Sequence, residues 1–231
     1  MGKMFTYRGL PMRTWSPFVG CFHDCYNGGC WAKRLVEGKL KDSPKYKDGF
    51  KPTFHPNEMN KKFKPNEFIF ISSMGDISFA PEYVISEILA KVKQFPQTNF
   101  LFCTKNPKVY MPSLISEEWN LDNLYLGCTL ETNRDTSKFS KAPIPEERYK
   151  VMSLGLKNKF LSIEPIMDFD VKGFTEMVIN IQPKIVEIGA DNYRNNLPEP
   201  SSEKIKLLMS SMKENGIEVI EKEGLKRLLN D

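Results

Sequence analysis

The 231-residue sequence predicts an α/β fold, a partial (β/α) barrel of about six to seven parallel strands, and three observations carry that expectation. Short, almost continuously apolar runs recur along the chain. Nearly every run is followed by a segment of helical periodicity, and polar residues gather just past the end of each run. Such a run reads as a strand buried on both faces, and strict alternation with helices calls for parallel strands joined by crossovers. The length suits one large core, and the chain is read as a single domain, 1–231, with a basic irregular insertion at about 40–66.

The elements follow in order. Trp15 to Gly20 is a first short apolar strand, and Trp31 to Glu37 a short helix stopped by Gly38. The Pro- and Lys-rich segment from Leu40 to Asn66 has no period and is an irregular insertion. Glu67 to Ser73 is the next strand. Pro81 to Phe95 is its helix, with Val84, Ile88, Val92 and Phe95 at helical spacing and Pro81 suited to the first turn. Asn99 to Thr104 precedes a helical turn, Pro107 to Leu114; Asn123 to Thr129 precedes a helix, Pro145 to Leu154; and Lys159 to Glu164 precedes another, Val171 to Asn180. Lys184 to Gly189 is followed by a helix capped by Ser201 and running to about Glu214, and Gly216 to Ile220 by Glu223 to Leu229.

In a barrel of this kind, polar residues at the C-terminal ends of the strands face the active site. The tips here are Cys21, Ser72 to Asp76, Thr104 with Lys105, Thr129 with Glu131, Glu164, Gly189 with Asp191 and Asn192, and Lys222. Ser, Thr, Asp and Asn at such places also cap the following helices, so each tip carries a structural reading beside the functional one.

The first tip stands apart. Cys21, Cys25 and Cys30 fall within ten residues, beside Gly28 and Gly29, and a disulfide cannot explain three thiols. Thiolates this close in an otherwise Cys-poor chain are ligands to one soft metal centre, either zinc or an iron–sulfur cluster. A zinc site would be completed by His23 or His55. In a four-iron cluster, three protein sulfurs leave one iron open to a substrate or cofactor. Cys103 and Cys128 lie inside apolar runs and are read as core residues.

Composition excludes some classes. No apolar stretch approaches the roughly twenty residues of a membrane span, and the N-terminus, with Arg8 and Arg13 but no long apolar run, lacks a secretory signal, so no membrane partner and a cytoplasmic location are expected. Five cysteines, three of them clustered, suit a reducing compartment and a metal. Net charge is only +4, yet from Lys33 to Lys64 ten Lys or Arg stand against four Asp or Glu, interleaved with Tyr46, Phe50, Phe54 and Phe63. That stretch is either a phosphate-tracking surface with aromatic faces for bases or a solvated loop pinned by a few aromatics.

Several segments together resemble the radical SAM enzymes, in which three cysteines after the first barrel strand hold a [4Fe–4S] cluster whose open iron binds S-adenosylmethionine. Phe70 to Asp76, Leu101 to Pro107, Leu126 to Asn133 with Arg148, and Phe160 to Pro165 resemble a phage- and prophage-associated short branch of unassigned reaction, itself similar to spore photoproduct lyase. The resemblance runs from about Trp15 to Lys222. One departure is the second cysteine gap, which holds Tyr26 to Gly29 where the superfamily pattern has two residues, with Gly29 in place of an aromatic before the last cysteine. The adenine contact is therefore moved to Tyr26 or Trp31.

The resemblance implies that Cys21, Cys25 and Cys30 ligate the cluster. It implies further that Ser73, Met74, Gly75 and Asp76 meet the methionyl amino group, that Thr104, Thr129 and Glu131 meet its sugar and carboxylate, and that Arg148 pairs with the methionyl carboxylate. Glu164, Asp191, Asn192 and Lys222, later in the barrel, are assigned to substrate and catalysis. The expected activity is reductive cleavage of S-adenosylmethionine to a 5′-deoxyadenosyl radical, in a reaction of lyase or transferase type. The substrate expectation leans to a nucleic acid or nucleotide, and an external flavodoxin- or ferredoxin-like electron donor is expected. The contrasting reading is a zinc-stabilised nucleic-acid-binding module without redox chemistry.

Overall fold

Seven strands lie side by side in one parallel sheet, in the order in which the chain makes them. In this computed structural model, which describes residues 6–7 and 10–230, they are β1 (Arg13–Trp15), β2 (Phe68–Ile71), β3 (Asn99–Thr104), β4 (Leu124–Thr129), β5 (Lys159–Ile163), β6 (Ile185–Ile188) and β7 (Glu218–Glu221). Each pairs in parallel with its successor. The sheet curls into a half-barrel flanked by helices, the α/β partial barrel expected from the sequence. Arg8 and the extreme ends of the 1–231 domain range lie outside the described residues.

Period-two alternation divides every strand between two environments. Outward residues, among them Ile69, Ile71, Phe100, Phe102, Leu126, Leu161, Ile163, Val186 and Ile188, pack against α2 (Glu82–Lys93), α4 (Val171–Ile181) and α5 (Ser202–Glu214) through Val84, Ile88, Phe174, Val178, Ile205 and Leu208. Inward residues Phe68, Leu101, Phe160 and Ile185 join Met12 to plug the half-barrel. Two positions further along the same strands, Phe70, Cys103, Ser162 and Glu187 face a cavity instead. Apolar burial of this kind stabilises by about 25 cal/mol per Å², so the plug and the outer layer hold the sheet while the upper inward layer is free to be polar.

Beyond shifts of one or two residues at several ends, such as Ile71 for Ser73 and Met152 for Leu154, three boundary differences have a local cause. The strand foreseen over Trp15 to Gly20 divides: β1 ends at Trp15, and Phe18–Val19 pairs antiparallel with Thr53–Phe54 of the insertion. Pro17 lies between, with no N–H for a ladder, and its carbonyl accepts from His55 N at 2.7 Å. The last strand starts at Glu218 rather than Gly216. Gly216, at φ 73°, and Ile217 close the end of α5 with bonds back to Lys213 and Met212. The final helix, α6 (Lys226–Leu229), starts late because Gly224, at φ 95°, sits in a turn. Ser201 caps α5 as expected, accepting from Lys204 N at 3.4 Å. Among the described residues, no helix is long and apolar enough to cross a membrane.

Within the insertion, short 3₁₀ turns at Pro44–Tyr46 and Pro56–Asn60 carry the chain. Its aromatics turn inward. Tyr46 is buried with Val19 and Val36, and the Phe63 ring packs edge-on to Trp15, Phe95 and Phe100 at 5.1 to 5.2 Å.

The start of the cysteine loop is seated on the sheet by two glycines. Gly20 and Gly75 form a parallel bridge beyond the ends of β1 and β2, and a Cβ on Gly75 would stand 2.7 Å from the Gly20 backbone. Backbone cannot yield as a side-chain tip does. Gly75→Ala is expected to cost about 1–3 kcal/mol, the usual cost of overpacking, read as a lower urea midpoint with an unchanged slope.

Candidate active site

The cysteine loop begins at Gly20 and folds back on itself through left-handed residues, Asp24 (φ 51°), Tyr26 (φ 57°), Asn27 (φ 52°) and Gly28 (φ 87°). Asn and Gly accept this region readily, and Asp at modest cost. Tyr26 is the exception, held because its amide donates to the Phe139 carbonyl and its ring and hydroxyl are gripped further in. A second loop, between β4 and α3 (Pro145–Met152), clamps the first: Lys141 N donates to the His23 carbonyl at 2.7 Å, and Ser140 Oγ lies 3.4 Å from Cys25 Sγ.

Cys21, Cys25 and Cys30 share one wall of a cavity of about 850 Å³ at the C-terminal mouth of the half-barrel. Burial pushes the Cys21 thiol up, and Asp76, Cys25 and Cys30 push it further; burial likewise raises Cys30, with Cys25 adding to it. Cys21 and Cys30, whose thiols resist ionisation, form with the neighbouring Cys25 a donor set that a soft cation would suit. The set therefore fits an iron–sulfur cluster with one unligated iron, and the rest of the cavity is of small-molecule size. His23 is placed otherwise. Its Nε2 is 3.1 Å from Asp76 Oδ2 and its ring stacks on Phe79, while donor atoms of Cys21, His23 and Asp76 all lie within 4.8 Å of one another. His55 lies away from the thiols in the insertion and does not line the cavity.

The turn after β2 brings Ser73, Gly75 and Asp76 to the cavity wall, and Thr104, Lys105 and Thr129 follow from the next two strands. Asp76 accepts from Thr104 Oγ1 at 2.5 Å, from Lys105 N at 2.9 Å and from Ser78 N at 2.9 Å. Burial alone would raise its carboxyl, but His23, Thr104 and the Lys105 amide outweigh this and bring it down to about 2. Tyr26 and Trp31 line the cavity on either side of the last cysteines.

Three assigned residues stand behind the wall. Met74 packs beside Val19 and Val36 and gives only its carbonyl, to Gly20 N at 2.9 Å. Glu131, 1% exposed, is held between Lys105 Nζ and Arg148 Nη1, the latter at 2.7 Å. Arg148, fully buried, also donates to the carbonyls of Pro143 and Thr129 at 2.7 Å each and to Thr136 Oγ1 at 3.2 Å. In this arrangement Arg148 fixes Glu131, Glu131 fixes Lys105, and Lys105 reaches the cavity and donates to Tyr26 Oη at 2.8 Å.

All four residues assigned to substrate, Glu164, Asp191, Asn192 and Lys222, also line the cavity, and the loop that carries Asp191 and Asn192 reaches the helix that follows the cysteine loop, the Tyr193 carbonyl accepting from Arg34 Nη1 at 3.1 Å. Lys222 Nζ contacts Glu164 Oε2 and stands 3.6 Å from Glu187 Oε2. Asp191 and Asn192 are engaged by the loop they sit in: Asp191 accepts from Asn195 N at 2.5 Å, and Asn192 Nδ2 donates to the Glu223 carbonyl at 3.0 Å. Glu187, Ser162 and Ser140 were not singled out from the sequence. Glu187 and Ser162 carried a signal, as polar residues at inward positions of apolar strands; Ser140, in an irregular loop, carried none. Cys103 faces the cavity, with Sγ 3.7 Å from Thr129 Oγ1, whereas Cys128 faces the helices, and burial pushes its thiol up to about 12.

Residues 11–181 match the family described as "Protein of unknown function (DUF5131)". No curated protein matches the chain in sequence. Among solved structures, a variant of spore photoproduct lyase is similar with a TM-score of 0.59 at 11% identity, over 89% of this chain and 75% of that one. Another variant, with bound AdoMet and dinucleoside spore photoproduct, has a TM-score of 0.53 at 11% identity, over 87% of this chain and 60% of that one. Streptococcus suis SuiB bound to precursor peptide SuiA has a TM-score of 0.55 at 10% identity, over 91% and 48%. The chain thus spans less than two thirds of the latter two proteins. The likeness is one of fold, and the fold resembles that of radical SAM enzymes.

The Glu131 cluster sets a pH dependence. Burial opposes ionisation of Glu131, but Arg148 and Lys105 hold its carboxyl well below the usual carboxylate range. A depressed folded value contributes stability above the unfolded glutamate value of about 4.3 that is lost as pH falls through the folded value. Glu131→Gln is expected to flatten this acid limb below about pH 4 while lowering stability at neutral pH by roughly 3–5 kcal/mol, because Arg148 is left buried and unpaired. Urea titrations of both proteins from neutral to acid pH read the two effects.

Proposed function

The chain belongs to the family described as "Protein of unknown function (DUF5131)", and we propose that it is a radical SAM enzyme, with a [4Fe–4S] cluster held by Cys21, Cys25 and Cys30 and S-adenosylmethionine bound beside it. The observation that carries this reading is the common wall of three thiols at the C-terminal mouth of a parallel half-barrel. When bound, a reduced cluster with S-adenosylmethionine supplies one-electron cleavage to a 5′-deoxyadenosyl radical. The protein's part is to place, shield and orient. Ser73, Gly75 and Asp76 offer acceptors to a methionyl ammonium, Thr104 and Thr129 offer hydroxyls, and Lys105 offers a cation braced by Glu131. Tyr26 and Trp31 supply aromatic faces for adenine. The plug of Met12, Phe68, Leu101, Phe160 and Ile185 closes the floor against water and stray hydrogen donors. A reaction of lyase or transferase type, a cytoplasmic setting and a flavodoxin- or ferredoxin-like electron donor complete the proposal.

One observation favours a second reading. The convergence of Cys21, His23 and Asp76 offers sulfur, nitrogen and oxygen donors suited to a zinc ion. Metal content separates the two. Anaerobic reconstitution is expected to give a brown protein with about four irons per chain, lost in Cys25→Ala, that releases 5′-deoxyadenosine on reduction with S-adenosylmethionine. A colourless protein holding a single zinc, whose loss follows His23→Ala, would falsify the radical reading.

A further inference from the structure

We infer, resting on the radical SAM reading of the same cavity, that the part lined by Glu164, Glu187 and Lys222 receives a cationic nitrogen group of the substrate, an amine or guanidine, and not a phosphate. Glu164 and Glu187 flank Lys222 there, so two carboxylates share one ammonium. Glu187 is 5% exposed and its Oε1 accepts from Ser162 Oγ at 2.6 Å. Its Oε2 is buried and accepts no hydrogen bond, in a residue that lines the cavity. Lys222 Nζ is hydrogen-bonded to Glu164 and stands 3.6 Å from Glu187 Oε2, an ion pair beyond hydrogen-bond length. A carboxylate oxygen hidden from water without a donor is costly, and a cationic donor entering the cavity removes that cost.

The surroundings agree. Asp191 and Glu223 also line the cavity, and no arginine lines it among the described residues. Phosphate recognition rests on clustered Arg and Lys or on free backbone amides, and a phosphate here would meet like charge. Tyr193, 52% exposed, stands on the rim and gives an aromatic face on which a guanidinium plane can stack. Burial raises the Glu187 carboxyl, Glu164 adds to that and Lys222 opposes it, so a second cation beside Glu187 would favour its charged form.

The test is calorimetric titration of the full chain with butylguanidine, its uncharged counterpart butylurea, and inorganic pyrophosphate. Butylguanidine is expected to bind, to exceed butylurea about tenfold, and to weaken about tenfold in Glu187→Gln and in Glu164→Gln, the scale of one charge-assisted hydrogen bond. Circular dichroism checks that the variants fold; should one fail, the guanidine-to-urea ratio on the unaltered protein decides alone. The inference is overturned if butylguanidine does not bind, if butylurea binds equally well, or if folded glutamine variants bind butylguanidine unchanged. Pyrophosphate binding that is lost in Lys222→Met also overturns it. Release of 5′-deoxyadenosine is measured separately on reconstituted protein. Its absence beside an intact guanidine preference removes the radical reading and leaves the charge assignment standing.

Discussion

The backbone of Gly20 rests directly on that of Gly75, and the position of the ligand-type side chains at the mouth follows from this contact. Gly20 N donates to the Met74 carbonyl and Asp76 N to the Gly20 carbonyl, at 2.9 and 3.1 Å, so the chain leaves the sheet at Cys21 with Asp76 already beside it. Asp76 then ties the end of β3 through Thr104 and the Lys105 amide. Lys105 passes the constraint to Tyr26 and Glu131, and Glu131 to Arg148. Three strand ends and the cysteine loop are thus fixed by one continuous set of polar contacts, each buried and each satisfied by the next.

Charge is distributed unequally along the cavity. On the side of the thiols, Glu131 is flanked by two cations, Lys105 and Arg148. Around Lys222 the ratio is reversed, with one cation between Glu164 and Glu187. Buried ionic groups of this kind rarely add stability over an apolar core of equal volume. Their presence above an inward layer built on Met12, Phe68, Leu101, Phe160 and Ile185 marks the upper layer as the functional one.

The strand-and-helix alternation was legible from the apolar runs because a parallel sheet covered by helices demands buried strands, and all seven strands of the sheet fall on or beside the expected segments. The tips were legible for the same reason. What could not be read was which tip residues point into the cavity and which brace it. Arg148 and Glu131 look from sequence like ligand-binding groups, since long charged side chains are usually exposed; only the packing of α3 against the end of β4 shows the guanidinium wholly enclosed. Glu187 was hidden by the opposite effect, an apolar run that conceals a single inward carboxylate. The split at Pro17 was readable in principle, because a proline has no N–H to give to a ladder.

A sheet that stops at half a cylinder has two edge strands, β1 and β7, and edge strands are where a further chain could add. The outer one, β7, begins and ends in Glu218 and Glu221, and at the other margin Arg13 leans out toward Glu67. Acidic and basic bristles of this sort discourage strand addition between neighbouring copies.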